Sequence, residues 1–308
     1  MIIDAHCDVL LKLWEEDISF ETSTKLQVNE RKWRNSPVKV QSFAIFVPPE
    51  VPEEMQFQVA LEMVTIFFEE IIQPYDDIKF ISNKKDLQTL KVNERGAILT
   101  LEGCQVIGRD INKLKTLIRL GVRAVGLTWN EANAVSDGIG EKRGAGLSSF
   151  GEEVIDLLNK EQIWTDVSHI SNQGFFDVLK RADYVMASHS NASRLCDHRR
   201  NLDDKQIQLL IKKKGWIGVT FVPHFTRATE PVSYENVIEH ILYYLDHGAQ
   251  DCLGFGSDFD GIETYIKGLE DITGYQVLQN ALRSRLPADQ FDKLTYQNFI
   301  NKFPRTSE

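Results

Sequence analysis

The chain has 308 residues, with 35 Lys+Arg set against 45 Asp+Glu for a formal charge of −10. Its densest basic runs, Lys212-Lys213-Lys214 and Arg199-Arg200, are short, which argues against a nucleic-acid or anionic-membrane partner, since either needs a clustered basic surface. With 42% hydrophobic and 26% charged residues, the composition is that of a globular protein able to bury a large core.

In chain order, apolar runs rich in β-branched and aromatic residues predict strands at 2–8, 38–47, 97–102, 124–130, 163–169, 184–190, 216–222 and 252–258. Between them, apolar residues recur at three- and four-residue spacing and predict helices over 111–120, 152–160, 174–181, 203–213 and 234–247. Ser171, Asp203 and Ser233 stand where N-caps belong, and Gly121, Gly215 and Gly248 where helices end. Residues 16–37 are polar and poorly periodic, so they are expected to form a long loop that could act as a lid. Two further helical stretches, 274–285 and 288–303, follow the last strand.

Strand–helix alternation is the pattern of βαβ units, and strands that are apolar almost throughout fit a sheet covered on both faces. Eight such units predict one (β/α)8 TIM-type barrel over residues 1–308 with C-terminal helical additions. An open doubly wound sheet usually carries a Gly-rich phosphate loop after its first strand, where this chain reads Ala5-His6-Cys7-Asp8.

Cys7, Cys104, Cys196 and Cys252 are too scattered for a disulfide framework, and the amino terminus lacks a basic segment followed by a long apolar run. The apolar stretch 59–72 is interrupted by Glu62, Glu69 and Glu70, well short of a membrane span. A cytoplasmic protein with reduced thiols is the expectation.

The chemistry is expected at the carboxyl ends of the predicted strands, where His6, Asp8, Glu102, His169, His189 and Asp258 fall. His6 and Asp8 are two apart on an extended segment, a spacing that aims both side chains at one cation and turns Cys7 away into the wall. A carboxylate such as Glu102, ending a buried strand, must be paired or metal-bound. Three imidazoles and two carboxylates exceed what one catalytic zinc with an open position requires, so two divalent ions sharing a carboxylate are expected, zinc first and manganese or cobalt as alternatives.

These residues and their order give the chain a family resemblance. Asp4-Ala5-His6-Cys7-Asp8, Leu101-Glu102-Gly103, Leu127-Thr128-Trp129-Asn130, Asp166-Val167-Ser168-His169, Ser188-His189-Ser190 with Arg199-Arg200-Asn201, and Gly254-Phe255-Gly256-Ser257-Asp258-Phe259-Asp260-Gly261 together resemble the membrane (renal) dipeptidase family, metallopeptidase family M19 of the amidohydrolase superfamily. The resemblance implies a binuclear zinc barrel that cleaves dipeptides, including those with a C-terminal D-residue, and that commonly dimerises. It implies that His6 and Asp8 bind one zinc, His169 and His189 the other, and that Glu102 bridges both. Asp258 matches the acid/base carboxylate, with Asp260 the weaker candidate, and Arg200 matches the residue that grips the substrate carboxylate. Trp129 and Asn130 stand at substrate-binding positions. Trp129 is a departure, because some relatives have there a His that contacts the scissile carbonyl, and an indole offers only one N–H donor.

The expected reaction is attack on the peptide carbonyl by a hydroxide bridging the metals, with Asp258 carrying the proton and Arg200 forking onto the free carboxylate. For Arg200 the structural alternative is an ion pair with Asp203 or Asp204. Two other functions fit parts of the pattern: a binuclear hydrolase of lactones, cyclic amides or phosphoesters, and a non-catalytic metal- or peptide-binding protein.

Overall fold

A computed structural model describes residues 1–306 of the chain. The strands are β1 (Ile2–Asp4), β2 (Val38–Phe46), β3 (Ile78–Phe80), β4 (Arg95–Glu102), β5 (Val122–Gly126), β6 (Trp164–Asp166), β7 (Val185–Ala187), β8 (Trp216–Val219) and β9 (Leu253–Phe255). Their order is β2-β1-β9-β8-β7-β6-β5-β4-β3, and β2 also pairs with β4, so eight strands close a ring and β3 is an extra edge beside β4. The registered pairings are parallel. With helices in the connections, this is a (β/α)8 barrel.

The chain divides into two compact units, and β2 and β7 run from one into the other. The first comprises Met1–Ser42 and Ala187–Lys302. Its core gathers Phe221, Phe255, Phe259 and Tyr275, with Phe221 to Tyr275 at 5.2 Å and Phe255 to Tyr275 at 5.5 Å between ring centroids. The helix Asp204–Lys213 starts at Asp203, whose carboxylate accepts from the Gln206 N–H at 2.7 Å, and it buries Ile207 and Leu210. The helix Asn298–Lys302 is tied to β9 by Asn298, whose amide donates to the Leu253 carbonyl at 3.0 Å.

The second unit comprises Phe43–Met186 and the residues from Phe303 onward. Phe43, Phe67 and Phe80 pack edge to face at 5.9 Å. The helix Ile111–Leu120 has the predicted bounds and ends at Gly121, whose φ of 121° is open to glycine and strained for other residues. Phe303 lies edge-on to Trp164 at 5.0 Å.

Four differences from the sequence expectations have local causes. Several predicted strands overrun the hydrogen-bonded ladder by three or four residues, because the segments after β1, β6, β7 and β9 stay largely buried while their backbones turn out of it. Residues 16–37 are a packed segment with a helix at Glu30–Arg34, not an open polar loop: Phe20, Leu26, Val28 and Trp33 are buried, but at spacings with no period. Three-residue β3 lies outside the predicted strands, because only Ile78 of it is buried and exposed Lys79 breaks the apolar run. The helix Asp204–Lys213 closes on Lys214 in the left-handed region, φ 59°, one residue before Gly215. Among the described residues no helix is long and apolar enough to cross a membrane.

Candidate metal and active site

In the first unit the loops after β1 and β9 run together. The buried Asp4 carboxylate accepts from the backbone N–H of Ser257 at 2.8 Å and of His6 at 3.3 Å. The Asp8 N–H then donates to the Phe259 carbonyl at 2.8 Å, and that of Asp258 to the His6 carbonyl at 3.2 Å. This lacing brings His6 Nε2 within 3.4 Å of an Asp8 oxygen and 3.6 Å of an Asp258 oxygen. One donor atom from each of the three lies within 4.8 Å of the others, a spacing able to hold a cation. Gly261 lies beside them, and a Cβ there would displace the Asp8 carboxylate.

The loop after β7 adds His189. Its ring centroid is 4.0 Å from that of His6, and its Nδ1 is 2.7 Å from the Ser188 hydroxyl. Gly256 lets this loop approach, because a Cβ there would strike the Ser188 carbonyl. Arg200 is buried, its guanidinium donates to the His189 carbonyl at 3.4 Å, and it lies over the Phe225 ring at 5.4 Å. The two acids that could have paired with it have other tasks: Asp203 caps its helix, and Asp204 accepts from the Tyr243 hydroxyl at 2.5 Å.

Asp258 and Asp260 both have left-handed backbones, φ 70° and 68°, a conformation non-glycine residues adopt at a cost. Their side chains diverge in role. Asp258 faces His6, whereas the Asp260 carboxylate accepts the backbone N–H groups of Gln27 at 2.7 Å and Val28 at 2.9 Å. The Gln27 side chain returns a bond by accepting the Asp260 N–H at 2.7 Å. Burial pushes the Asp260 carboxyl up to about 7 against those backbone hydrogen bonds. It pins the 16–37 segment at Gln27 and Val28.

Cys7 is buried in an isolated bridge to Phe259, and burial raises its thiol well above the usual range. A metal ligand must be a thiolate, so this environment disfavours Cys7 as one.

In the second unit Glu102 is the last residue of β4 and is buried. His169 follows β6, and its Nε2 lies 2.9 Å from the Glu102 carboxylate. Its Nδ1 is 3.0 Å from the Asn130 side-chain oxygen, which favours the tautomer with the proton on Nδ1 and leaves Nε2 as the donor atom. Trp129 sits with its ring centroid 5.3 Å from that of Phe46 and 6.2 Å from that of His169.

Thus His6, Asp8, His189, Asp258 and Arg200 gather in one unit, and Glu102, His169, Asn130 and Trp129 in the other. The sequence reading missed the supporting shell: Asp4, the orienting contact of Asn130, and Gln27, whose partner Asp260 lies 233 residues away. Only the acidic character of Asp4, at a buried strand end, was a signal.

The chain matches the family described as membrane dipeptidase (peptidase family M19) over residues 1–307. It is 30% identical over 237 residues to the dipeptidase tcpJ of Claviceps purpurea, covering 75% of this chain and 56% of that protein, so it spans little more than half of that relative's length. Among solved structures, the family M19 dipeptidase AC aligns with a TM-score of 0.92 at 26% identity, covering 99% of this chain and 98% of that one. A metallopeptidase from Rhodobacter sphaeroides, liganded with a phosphinate mimic of the dipeptide L-Ala-D-Ala, aligns with a TM-score of 0.91 at 25% identity, covering 99% of each chain.

Proposed function

Because the chain belongs to the membrane dipeptidase family, peptidase family M19, we propose that it is a metal-dependent dipeptidase. The observation that carries this reading is the His6, Asp8 and Asp258 cluster, whose donor atoms lie within 4.8 Å of one another. Imidazole and carboxylate donors without a thiolate fit zinc first, and manganese or cobalt after it. In the proposal His6 and Asp8 hold one ion, His169 and His189 a second, and Glu102 is shared.

When bound, two divalent ions polarise the peptide carbonyl and lower the pKa of water from about 15.7 to about 7. The chain's own groups do the rest. Asp258 takes the proton of the attacking water and returns it to the leaving amine, which its position 3.6 Å from His6 Nε2 supports. Arg200 clamps the free α-carboxylate as a bidentate fork, which restricts the substrate to two residues. Asn130 keeps His169 in the tautomer that offers Nε2, in addition to its place beside the substrate. Trp129 presents an indole face where an imidazole would offer a proton or a lone pair.

Acceptance of a D-residue at the second position is supported by the Rhodobacter sphaeroides neighbour and its L-Ala-D-Ala mimic. The test is metal analysis together with hydrolysis of a dipeptide library carrying L- and D-residues at the second position. About two equivalents of zinc with cleavage of dipeptides, and none of tripeptides, is expected. Two equivalents with no cleavage of any dipeptide would overturn the peptidase reading and leave lactones, cyclic amides and phosphoesters as the substrates to try.

A further inference from the structure

The second unit contains a cavity of about 420 Å³ lined by Trp129, Glu53, Gln56, Arg109 and Glu131 among others. Its place follows from one side chain, because Trp129 both lines it and lies 6.2 Å from the His169 ring. The cavity therefore adjoins the His169 side of the candidate site, one aromatic ring away.

The cavity is built for a donor rather than an acceptor. Glu53, Glu131 and Arg109 are exposed at its rim, and among the described residues no salt bridge or side-chain hydrogen bond occupies them, which leaves two solvated carboxylates against one guanidinium. Gln56 also lines the cavity, its amide nitrogen donating to the Val51 carbonyl at 3.1 Å. The Trp129 indole adds a surface that attracts a cation.

We propose that this cavity is a side-chain subsite that takes an ammonium- or guanidinium-ended side chain on the first residue of the substrate. The inference rests on the dipeptidase reading above. His169 belongs to the proposed metal ligands that activate the scissile carbonyl, and the residue that owns that carbonyl is the first one. Its side chain is thus the one placed to cross the Trp129 wall. Arg109 sets the upper limit on selectivity, since it opposes the cation the two glutamates attract. Partly solvated ion pairs and an exposed cation–π contact together correspond to about five- to tenfold in kcat/KM.

The test is steady-state kinetics of the zinc-loaded full chain on Lys-Ala, Arg-Ala, Ala-Ala, Glu-Ala and Ala-Lys. Lys-Ala and Arg-Ala are expected to exceed Ala-Ala by about five- to tenfold, mainly through KM, with Glu-Ala below Ala-Ala and Ala-Lys without the advantage. Glu131→Gln and Glu53→Gln should each lower the Lys-Ala to Ala-Ala ratio, and Arg109→Gln should raise it, a change of sign that a folding defect does not produce. Hydrolysis of Ala-Ala with a Lys-Ala ratio at or below one, or a ratio that none of the three variants moves, overturns the subsite. Failure to cleave any of the five, or their counterparts with a D-residue at the second position, overturns the dipeptidase reading itself.

Discussion

The two compact units hold their candidate donors in different ways. In the first unit, His6, Asp8, His189 and Asp258 all stand beyond the ends of their strands, on loops held by backbone lacing, the Asp4 carboxylate, two close-approach glycines and a left-handed Asp258. In the second, Glu102 is still within β4, and His169 is fixed by two side-chain contacts, with Glu102 and with Asn130. Donors on loops depend on the network that holds the loops, whereas a donor on a strand inherits the rigidity of the sheet. Substitutions in the supporting shell should therefore act mainly through loop order in the first unit and through imidazole orientation in the second.

The largest expected effect is loss of Glu102. Glu102→Gln should release metal, as read by elemental analysis, and abolish turnover with little change of fold, because the strand remains. Full metal content in that variant would contradict the shared-carboxylate assignment. Next comes orientation: Asn130→Ala should weaken metal affinity by about 10- to 100-fold, as competition with a chelator would read. Unchanged affinity would remove Asn130 from the ligand shell.

Smaller still is the effect of the Asp260 clamp. Asp260→Asn replaces one acceptor by an amide N–H facing a backbone N–H, at a cost of about 1–3 kcal/mol in denaturant titrations of metal-free protein. The pH dependence has a definite sign. The folded-state pKa of about 7 lies above the ordinary carboxylate value of 3.8, so the folded state binds more protons between those two values. The contribution of the wild-type carboxyl is complete below 3.8 and declines as pH rises through 7. The stability gap between wild type and Asp260→Asn should therefore narrow from pH 5 to pH 8, and a gap that widens would contradict a raised pKa. The smallest effect belongs to Cys7→Ala, which should retain full metal and most activity, since that thiol stays protonated in its buried setting.

The same contrast explains how much was legible beforehand. Eight of the nine strands and five of the helices between Ile111 and Asp246 that alternate with them are written in periodicity, whereas the helices Val9–Glu15 and Glu53–Ile66 were not read from it; the helix Ile111–Leu120 has its predicted bounds, with Gly121 marking its end. The donor residues were legible because charged and imidazole side chains are conspicuous after apolar runs. Where the strands stop was not, since burial continues past the ladder and apolar content cannot tell a buried loop from a buried strand. The packing of 16–37 was hidden for a related reason, as Leu26, Val28 and Trp33 are buried by a segment whose anchor, Asp260, lies far along the chain. Gln27 was invisible because a polar side chain in an aperiodic stretch carries no pattern of its own.

The central claim is that metal binding and proton transfer reside in different carboxylates, and Asp258→Asn tests it most directly. Metal content and hydrolysis of Ala-D-Ala are measured on the same preparation of wild type and variant. The account predicts about two equivalents of zinc in both and a fall in kcat of about 10²- to 10⁴-fold in the variant. Near-wild-type turnover, or loss of metal along with activity, would contradict it.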